Sequence, residues 1–248
     1  MLRSQRFRRL QRLVVALAVA GSCCTAVAAE NPSREAMFSK MSALASTGNA
    51  EVLYNLGMFL NNGIGTPADH AAAFKRFSEA AAAGHALAAF KVGCYLMGQF
   101  PGTVPLDMAE GLKFKLRAAE AGYDLAQQDV ALHYARKGDS ATAQQWFERA
   151  SHQGDLSSTA YLADRFSAPG SADKVKGYAL LQLLQARMPQ PPKDVLARVA
   201  ALEAALSANE KTAAAALRDG WVTGPLPLTQ QARAGLNGVP ALIATLEH

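Results

Sequence analysis

Two spacings recur along the chain. Between them the apolar positions recur with the period expected of paired helices. An aspartate at position i is followed by a glycine at position i+15, and nine positions after that glycine stands a small residue preceded by an aliphatic one. Only the stretch from the small residue to the next aspartate varies, so successive repeats differ in length: the small residues stand at 57, 93, 131 and 163. Variation confined to one stretch is typical of packed helices joined by a loop. The aspartate–glycine intervals are 69–84, 107–122 and 139–154.

Each interval predicts one helix with a defined start and end. An aspartate before an alanine-rich turn is a helix N-cap, because its carboxylate accepts hydrogen bonds from unpaired N–H groups of the first turn. A glycine at the other end adopts the left-handed conformation that terminates a helix. We therefore predict second (B) helices over residues 69–83, 107–121 and 139–153. First (A) helices follow each glycine, and the same interval counted back places one over residues 51–62.

Positions within the A helices divide into a uniform and a variable set. Counted from the small residue, positions −5, −1, 0 and +3 are apolar or small in every copy, as expected of a core. Each helix pair leaves an apolar face that only the next pair can cover. The predicted fold class is therefore all-α, an α/α solenoid of antiparallel helix pairs.

Positions −2 and +2 of the A helices change their chemistry from one repeat to the next. In helical solenoids this face tends to line the concave binding groove, and aromatic and arginine side chains are enriched at interfaces. We therefore predict a partner-binding groove there; the alternative is an ordinary solvated face with Phe59 and Tyr95 partly packed. The predicted groove residues are Asn55, Phe59, Lys91, Tyr95, Asp129, His133, Tyr161 and Arg165.

Prolines and glycines predict the boundaries outside the repeats. The solenoid is predicted to span residues 30–190, with about four repeats and a capping helix over 33–47 at its N-terminal end. A proline cluster at 189–192 separates it from C-terminal capping helices within 191–222. Residues 223–248 form a Pro- and Gly-rich tail whose final stretch is either a short helix or disordered.

Composition narrows the classes of fold and of partner. Half of the chain is hydrophobic but only 7% is aromatic, and alanine dominates, which favours closely packed helices over a β-sandwich or barrel. The net charge of +5 comes from five arginines before residue 30, where no acid stands; the other 20 of the 25 basic residues balance 20 acids. No nucleic-acid partner is therefore predicted.

Residues 1–29 have the pattern of a secretory signal peptide. An arginine-rich start is followed by a short apolar run over 13–20 and by a small-x-small pattern at 26–28, where cleavage is expected. The alternatives are an uncleaved membrane anchor, lipidation at Cys23 and a twin-arginine signal. The predicted localisation is the periplasm or cell envelope, with membrane contact only through this segment or its lipid. After cleavage Cys94 stands alone, so no intrachain disulfide is predicted.

A motif in the first repeat combines small residues, glycines and an aspartate at set positions. Its residues are Leu56-Gly57, Gly63-Ile64-Gly65, Asp69, Ala73, Ala80-Ala81 and Gly84. This pattern resembles the Sel-one-like repeat (SLR), a relative of the tetratricopeptide repeat. Repeats two and three carry it in part, with Gly111 in place of an alanine, and repeat four has Met188 where glycine is expected. The segment from Ala208 to Trp221 and the Pro-Leu-Pro after it resemble the ends of exported bacterial SLR proteins.

The sequence predicts no catalytic residue, metal site or cofactor. Among His70, His85, His133 and His152 no two stand at i, i+4 on one helix, and no cysteine joins them. A Gly-x-Ser-x-Gly elbow, a phosphate-binding loop and a dinucleotide fingerprint are all missing. Some SLR proteins with paired cysteines are associated with penicillin binding or β-lactamase activity, and this chain lacks those pairs.

The resemblance implies binding and assembly rather than one reaction. We therefore predict a non-catalytic scaffold or adaptor of the bacterial periplasm or cell envelope that binds a protein or peptide in the solenoid groove. The alternatives are a scaffold for exopolysaccharide export, a hydrolase of cell-wall material or β-lactams, and a secreted effector acting on host proteins.

Overall fold

The computed structural model describes residues 33–247, and the regular secondary structure in this part of the chain is entirely helical. The predicted signal peptide and Cys23 lie outside the described residues. Each of the first nine helices packs on the next, most extensively in the pairs formed by the second and third, fourth and fifth, sixth and seventh, and eighth and ninth helices, and the eleventh helix packs on the ninth. The all-α class and the α/α solenoid are thereby confirmed. The helices are α1 (Arg34–Leu44), α2 (Ala50–Asn62), α3 (His70–Ala82), α4 (Ala86–Leu96), α5 (Met108–Glu120), α6 (Asp124–Arg136), α7 (Ser140–His152), α8 (Leu156–Ser167), α9 (Lys174–Arg187), α10 (Lys193–Ala205), α11 (Ala208–Trp221), α12 (Pro227–Ala234) and α13 (Val239–Leu246).

The predicted starts and ends of the B helices are confirmed. An aspartate caps each of α3, α5, α7 and α9, where its Oδ1 accepts the N–H of the residue three positions on at 2.9–3.0 Å. A glycine with φ between +92° and +97° follows each of the first three of these helices. The aspartates are Asp69, Asp107, Asp139 and Asp173, and the glycines are Gly84, Gly122 and Gly154.

The uniform positions of the A helices form the core, as predicted. Positions −5, −1 and 0 are buried in all four copies, and position +3 is half-buried. Small residues at position 0 bring helix backbones together: a Cβ on Gly93 would lie 2.7 Å from the carbonyl oxygen of Gly111. A Cβ on Gly111 would in turn lie 2.6 Å from Met97 Cγ and 3.2 Å from the carbonyl oxygen of Gly93, so a side chain there would push α4 and α5 apart.

The C-terminal capping helix α11 docks on the third repeat through Trp221. Its indole N–H donates to Ser151 Oγ at 2.7 Å, and its ring lies 4.3 Å from that of His152. The first two repeats have Ala81 and Ala119 at the position of Ser151. The departure from the repeat pattern therefore supplies the hydrogen-bond partner of a buried tryptophan.

Residues 222–247, here called the strap, run back along the turns that join each B helix to the next A helix. The N–H of Thr223 donates to the carbonyl of His152 at 2.9 Å, and the N–H of Leu226 donates to Gln153 Oε1 at 2.9 Å. The buried Thr229 hydroxyl donates to the carbonyl of Gly122 at 3.1 Å and accepts from the N–H of Asp124 at 3.1 Å.

The strap ends as a helix at the opposite end of the solenoid. Val239 and Ile243 of α13 are buried in one cluster with Met41 of α1 and with Val52 and Phe59 of α2. Of the two states predicted for the final stretch, the structure has the short helix. Within residues 33–247 no helix is both long enough and apolar enough to span a bilayer.

Candidate functional site

Two adjoining cavities of 580 Å³ and 520 Å³ open between helices α4 and α6, with α5 beneath them. They share Met97, Lys115 and Asp129, so we treat them as one feature, the α4–α6 groove. The first cavity is lined by Phe90, Lys91, Cys94, Met97, Gly98, Gln99, Lys115, Tyr123, Leu125 and Asp129. The second is lined by Met97, Met108, Lys115, Asp129, Leu132, His133, Arg136 and Lys137.

An ion pair occupies the point where the two cavities meet. Lys115 Nζ lies 2.5 Å from Asp129 Oδ2, and the lysine side chain is only 12% exposed. The same Nζ lies 5.5 Å from the centre of the Phe90 ring, which meets Tyr123 edge to face at 5.0 Å. The charge of Lys115 is therefore satisfied within the protein by a carboxylate and an aromatic face.

Lys91, which lines the first cavity, has no such partner in the part of the chain that the structure describes. It is half-buried and forms no hydrogen bond or ion pair with any residue between 33 and 247. Burial lowers the pKa of Lys91, and the nearby Cys94 acts weakly in the other direction. Burial also raises the pKa of the Cys94 thiol, with Lys115 opposing it, so this cysteine stays protonated and unreactive at neutral pH.

The second cavity is basic at its far end. Arg136, the last residue of α6, and Lys137, its C-cap, follow His133 in the chain, and all three line the cavity. Burial, then Lys137 and Arg136, lower the pKa of His133. Its imidazole is therefore neutral at neutral pH and contributes hydrogen-bonding capacity rather than charge.

The structure brings three of the eight predicted groove residues together. Lys91, Asp129 and His133 all line the α4–α6 groove, Lys91 and Asp129 at position −2 and His133 at position +2. Asp129 faces the helix B that precedes it, as its bond to Lys115 of α5 shows.

The prediction that Phe59 and Tyr95 line an open groove is wrong, because both side chains are 0% exposed. In these two repeats the side chain at position +2 packs against the helix that precedes it. Tyr95 donates to Asn61 Oδ1 at 2.7 Å and packs on Phe100 at 4.5 Å. Phe59 lies against Phe38 of α1 and under α13.

The other three predicted residues lie outside the groove. Asn55 is buried, and its side-chain N–H donates to the backbone carbonyl of Glu51 at 2.8 Å, so the prediction that it lines an open groove is also wrong. Tyr161 is half-buried and stacks on Phe147 at 3.9 Å. Arg165 is exposed and donates to Gln144 of α7 at 3.1 Å.

Most of the residues that line the groove were not predicted from the sequence, and for one of them, Lys115, a signal was present. It stands eight positions after its helix-capping aspartate. The same position holds Phe77, Phe147 and Leu181 in the other repeats, all almost fully buried. A lysine in an otherwise apolar core position indicates a polar partner nearby, which is Asp129.

One arrangement that could suggest chemistry has a structural role. Ser171 and Lys174 stand at Ser-x-x-Lys spacing, but Ser171 Oγ accepts the N–H of Asp173, which caps α9. Among residues 33–247, no three histidine, cysteine, aspartate or glutamate side chains gather as metal ligands would.

Comparison with protein families matches the Sel1 repeat to residues 50–85, 86–123 and 125–155. These ranges coincide with the helix pairs α2/α3, α4/α5 and α6/α7, so the groove lies within the second and third matched repeats. A search of curated proteins found no match.

Two solved structures are similar to this chain. A Sel1 repeat protein from Oxalobacter formigenes has 24% sequence identity and a TM-score of 0.45, over 51% of this chain and 96% of its own. A protective antigen of uropathogenic Escherichia coli strains that displays an SLR fold has 16% identity and a TM-score of 0.47. That match covers 78% of this chain and 50% of the antigen.

Proposed function

Since this chain is an SLR protein with three Sel1 repeats, we propose that it is a non-catalytic adaptor that binds another protein or a peptide in the α4–α6 groove. Sel1 repeats generally form scaffolds for protein interaction. Our proposal goes beyond this general role in two respects: it assigns binding to the α4–α6 groove, and it states that the protein catalyses no reaction.

The observation that carries this proposal is the mixed lining of the groove. Phe90, Met97, Leu125 and Leu132 offer apolar contact, and cations stand between them. Methionine and aromatic side chains at the centre of a depression, with polar groups at its rim, are typical of protein interfaces.

We further propose that the protein acts in the bacterial periplasm or cell envelope. This proposal rests on the signal-peptide pattern of residues 1–29. Fractionation of cells that produce the full chain, with and without residues 2–29, tests it. We expect the full chain in the periplasmic or membrane fraction and the truncated chain in the cytoplasm; cytoplasmic retention of both would contradict export.

Photo-crosslinking tests the place of binding. A benzophenone amino acid replaces Leu125, which lines the groove, or Leu196 of α10, which lines neither groove cavity. The two leucines are matched in exposure, at 43% and 40%. We expect one discrete adduct in intact cells from position 125 and none from position 196, with mass spectrometry identifying a peptide of the partner. An adduct from position 196 alone, or from neither, would contradict a partner in this groove.

A further inference from the structure

One pair of positions recurs at a constant interval in all four repeats. The first member stands eight positions after the capping aspartate, and the second stands fourteen positions further on, on the next helix. The four pairs are Phe77/Lys91, Lys115/Asp129, Phe147/Tyr161 and Leu181/Val195.

Three of these pairs are chemically matched. Lys115 and Asp129 form an ion pair at 2.5 Å, and the rings of Phe147 and Tyr161 stack at 3.9 Å. Leu181 and Val195 are buried in the same apolar cluster. The pair in the first repeat is mismatched, because Phe77 is an apolar ring and Lys91 carries a charge.

The mismatch leaves the ammonium group of Lys91 without a counter-ion among residues 33–247. A half-buried charge has lost part of its hydration, and an opposite charge or hydrogen-bond acceptor must replace it to recover that free energy. Lys91 differs in this respect from Lys115 on the other side of the cavity, whose carboxylate partner belongs to the protein. The missing acceptor for Lys91 is thus a group that a ligand can supply.

The surroundings of Lys91 favour an anion. The groove is lined by four cations, Lys91, Lys115, Arg136 and Lys137, and by one acid, Asp129. Residues 30–248 contain 20 basic and 20 acidic residues, so this excess is local to the groove. Clustered charge of one sign in a depression attracts and orients an oppositely charged ligand.

We propose, building on the function proposed above, that the α4–α6 groove binds an acidic peptide segment of the partner protein, with a carboxylate of that segment paired to Lys91. Neighbouring apolar side chains of the segment contact Met97 and Leu132, while Arg136 and Lys137 hold a second carboxylate. The apolar lining selects a peptide over an acidic polysaccharide, since hydroxyl-rich sugar rings would leave these side chains poorly covered.

Binding of defined peptides tests the chemistry of the partner. The probe is an alternating Glu-Leu octapeptide that carries an uncharged dye, and the control is the matching Gln-Leu octapeptide. Fluorescence anisotropy with the full chain should show Glu-Leu binding at least about tenfold more tightly, the effect of one charge-assisted hydrogen bond. Its affinity should fall as salt is added.

The variant Lys91→Met tests the assigned residue. Methionine keeps an unbranched stem of similar length and removes only the charge, so the protein should fold at least as stably as the wild type. We expect the affinity for the Glu-Leu peptide to fall about tenfold and that for the Gln-Leu peptide to stay unchanged. The matched control is Lys113→Met on α5, where the lysine side chain is 72% exposed; it should bind both peptides as the wild type does.

His133 gives a second readout that does not depend on a variant at Lys91. A carboxylate bound in the groove opposes the charges of Lys137 and Arg136, so it should raise the pKa of His133. NMR titration of the histidine resonances, assigned with His133→Gln, should show this rise with the Glu-Leu peptide and none with the Gln-Leu peptide.

Three results would overturn the proposal. The first is equal binding, or no binding, of the Glu-Leu and Gln-Leu peptides. The second is unchanged affinity in Lys91→Met together with an unmoved His133. The third is displacement of the Glu-Leu peptide by polygalacturonate at a lower carboxylate concentration than by unlabelled peptide, which would assign the groove to an acidic polysaccharide. The photo-crosslink from position 125 is a separate measurement. If the peptides fail these tests but the crosslinked adduct still forms, the acidic nature of the partner segment is rejected, while the proposed adaptor function is not.

Discussion

At the scale of single residues, Gly122 combines a backbone requirement with a tertiary contact. Its φ of +97° ends α5 in a conformation that residues with a Cβ adopt only with strain. A Cβ at this position would also lie 2.9 Å from Leu226 Cδ1 of the strap. Gly84, at the same position of the preceding repeat, has a φ of +92° and open space where its Cβ would be.

This difference between Gly84 and Gly122 allows the cost of backbone strain and the cost of the clash with Leu226 to be measured separately. Gly84→Ala and Gly122→Ala should each lower the free energy of unfolding by about 1–2 kcal/mol through backbone strain. The loss for Gly122→Ala should exceed that for Gly84→Ala by less than about 1 kcal/mol, because the exposed Leu226 can move aside. Chemical denaturation measures both, and adding Leu226→Ala should remove the excess. Wild-type stability of Gly84→Ala would show that the helix end tolerates a side chain.

At the scale of helices, Glu51 links the first turn of α2 to two other elements. Its Oε2 lies 2.9 Å from His85 Nε2 and accepts from Gln231 of the strap at 2.7 Å. His85 Nδ1 accepts the N–H of Ala88 at 3.2 Å as the cap of α4, so the network places the imidazole proton on Nε2, which donates to Glu51. One carboxylate therefore fixes α2, α4 and α12.

Glu51 predicts a pH dependence of stability. The hydrogen bond from His85, ahead of the opposing effect of burial, holds the pKa of Glu51 below its ordinary value. A carboxyl group with a lowered pKa stabilises the fold above its unfolded-state pKa, and this contribution disappears as the pH falls through the folded-state pKa. The melting temperature of Glu51→Gln should be below that of the wild type at about pH 6, and the gap should narrow towards about pH 3.

Glu120→Gln is the control for this titration, because Glu120 is exposed near the end of α5. Its melting temperature should follow that of the wild type at each pH. A gap for Glu51→Gln that stays constant on acidification would show that the carboxylate charge contributes no stability.

The helices could be predicted from local sequence patterns, whereas contacts between residues far apart in the sequence could not. Capping by Asp69 and its equivalents involves residues three positions apart, so a sequence pattern records it directly. Thr229 bonds to Asp124 across 105 residues, and no spacing rule connects the two. The prediction for Phe59 and Tyr95 was wrong for a related reason. A position can differ between repeats because it binds a partner, but also because each repeat packs it against a different neighbour.

At the scale of the whole described fold, the strap makes the two ends of the solenoid depend on each other. It leaves α11, which docks on the third repeat through Trp221, and ends as α13 against α1 and α2. Lys40 of α1 and Glu247 add an ion pair at 2.8 Å. The apolar face of α1 and α2 is thus covered by α13, which acts as a capping element for this end of the described solenoid.

Charge placed on either face of α13 tests this cover. Ile243→Asp puts a carboxylate where the side chain is buried, whereas Ala244→Asp puts one on the exposed side of the same helix. Ile243→Asp should lower the free energy of unfolding by about 2 kcal/mol or more. It should also increase binding of an apolar dye, since Val52 and Phe59 become accessible. Equal behaviour of the two variants would mean that α13 does not cover the first helices.

The strap also constrains how such a chain can change its length in evolution. Helical arrays grow by tandem duplication of a repeat, and each added helix pair moves the ends apart by about 8–10 Å or more, the distance between packed helices. A duplication in this chain would leave α13 short of α1 unless residues 222–247 were lengthened in the same step. We therefore expect the number of repeats and the length of residues 222–247 to change together, so that a natural variant with an extra repeat carries a longer segment or none.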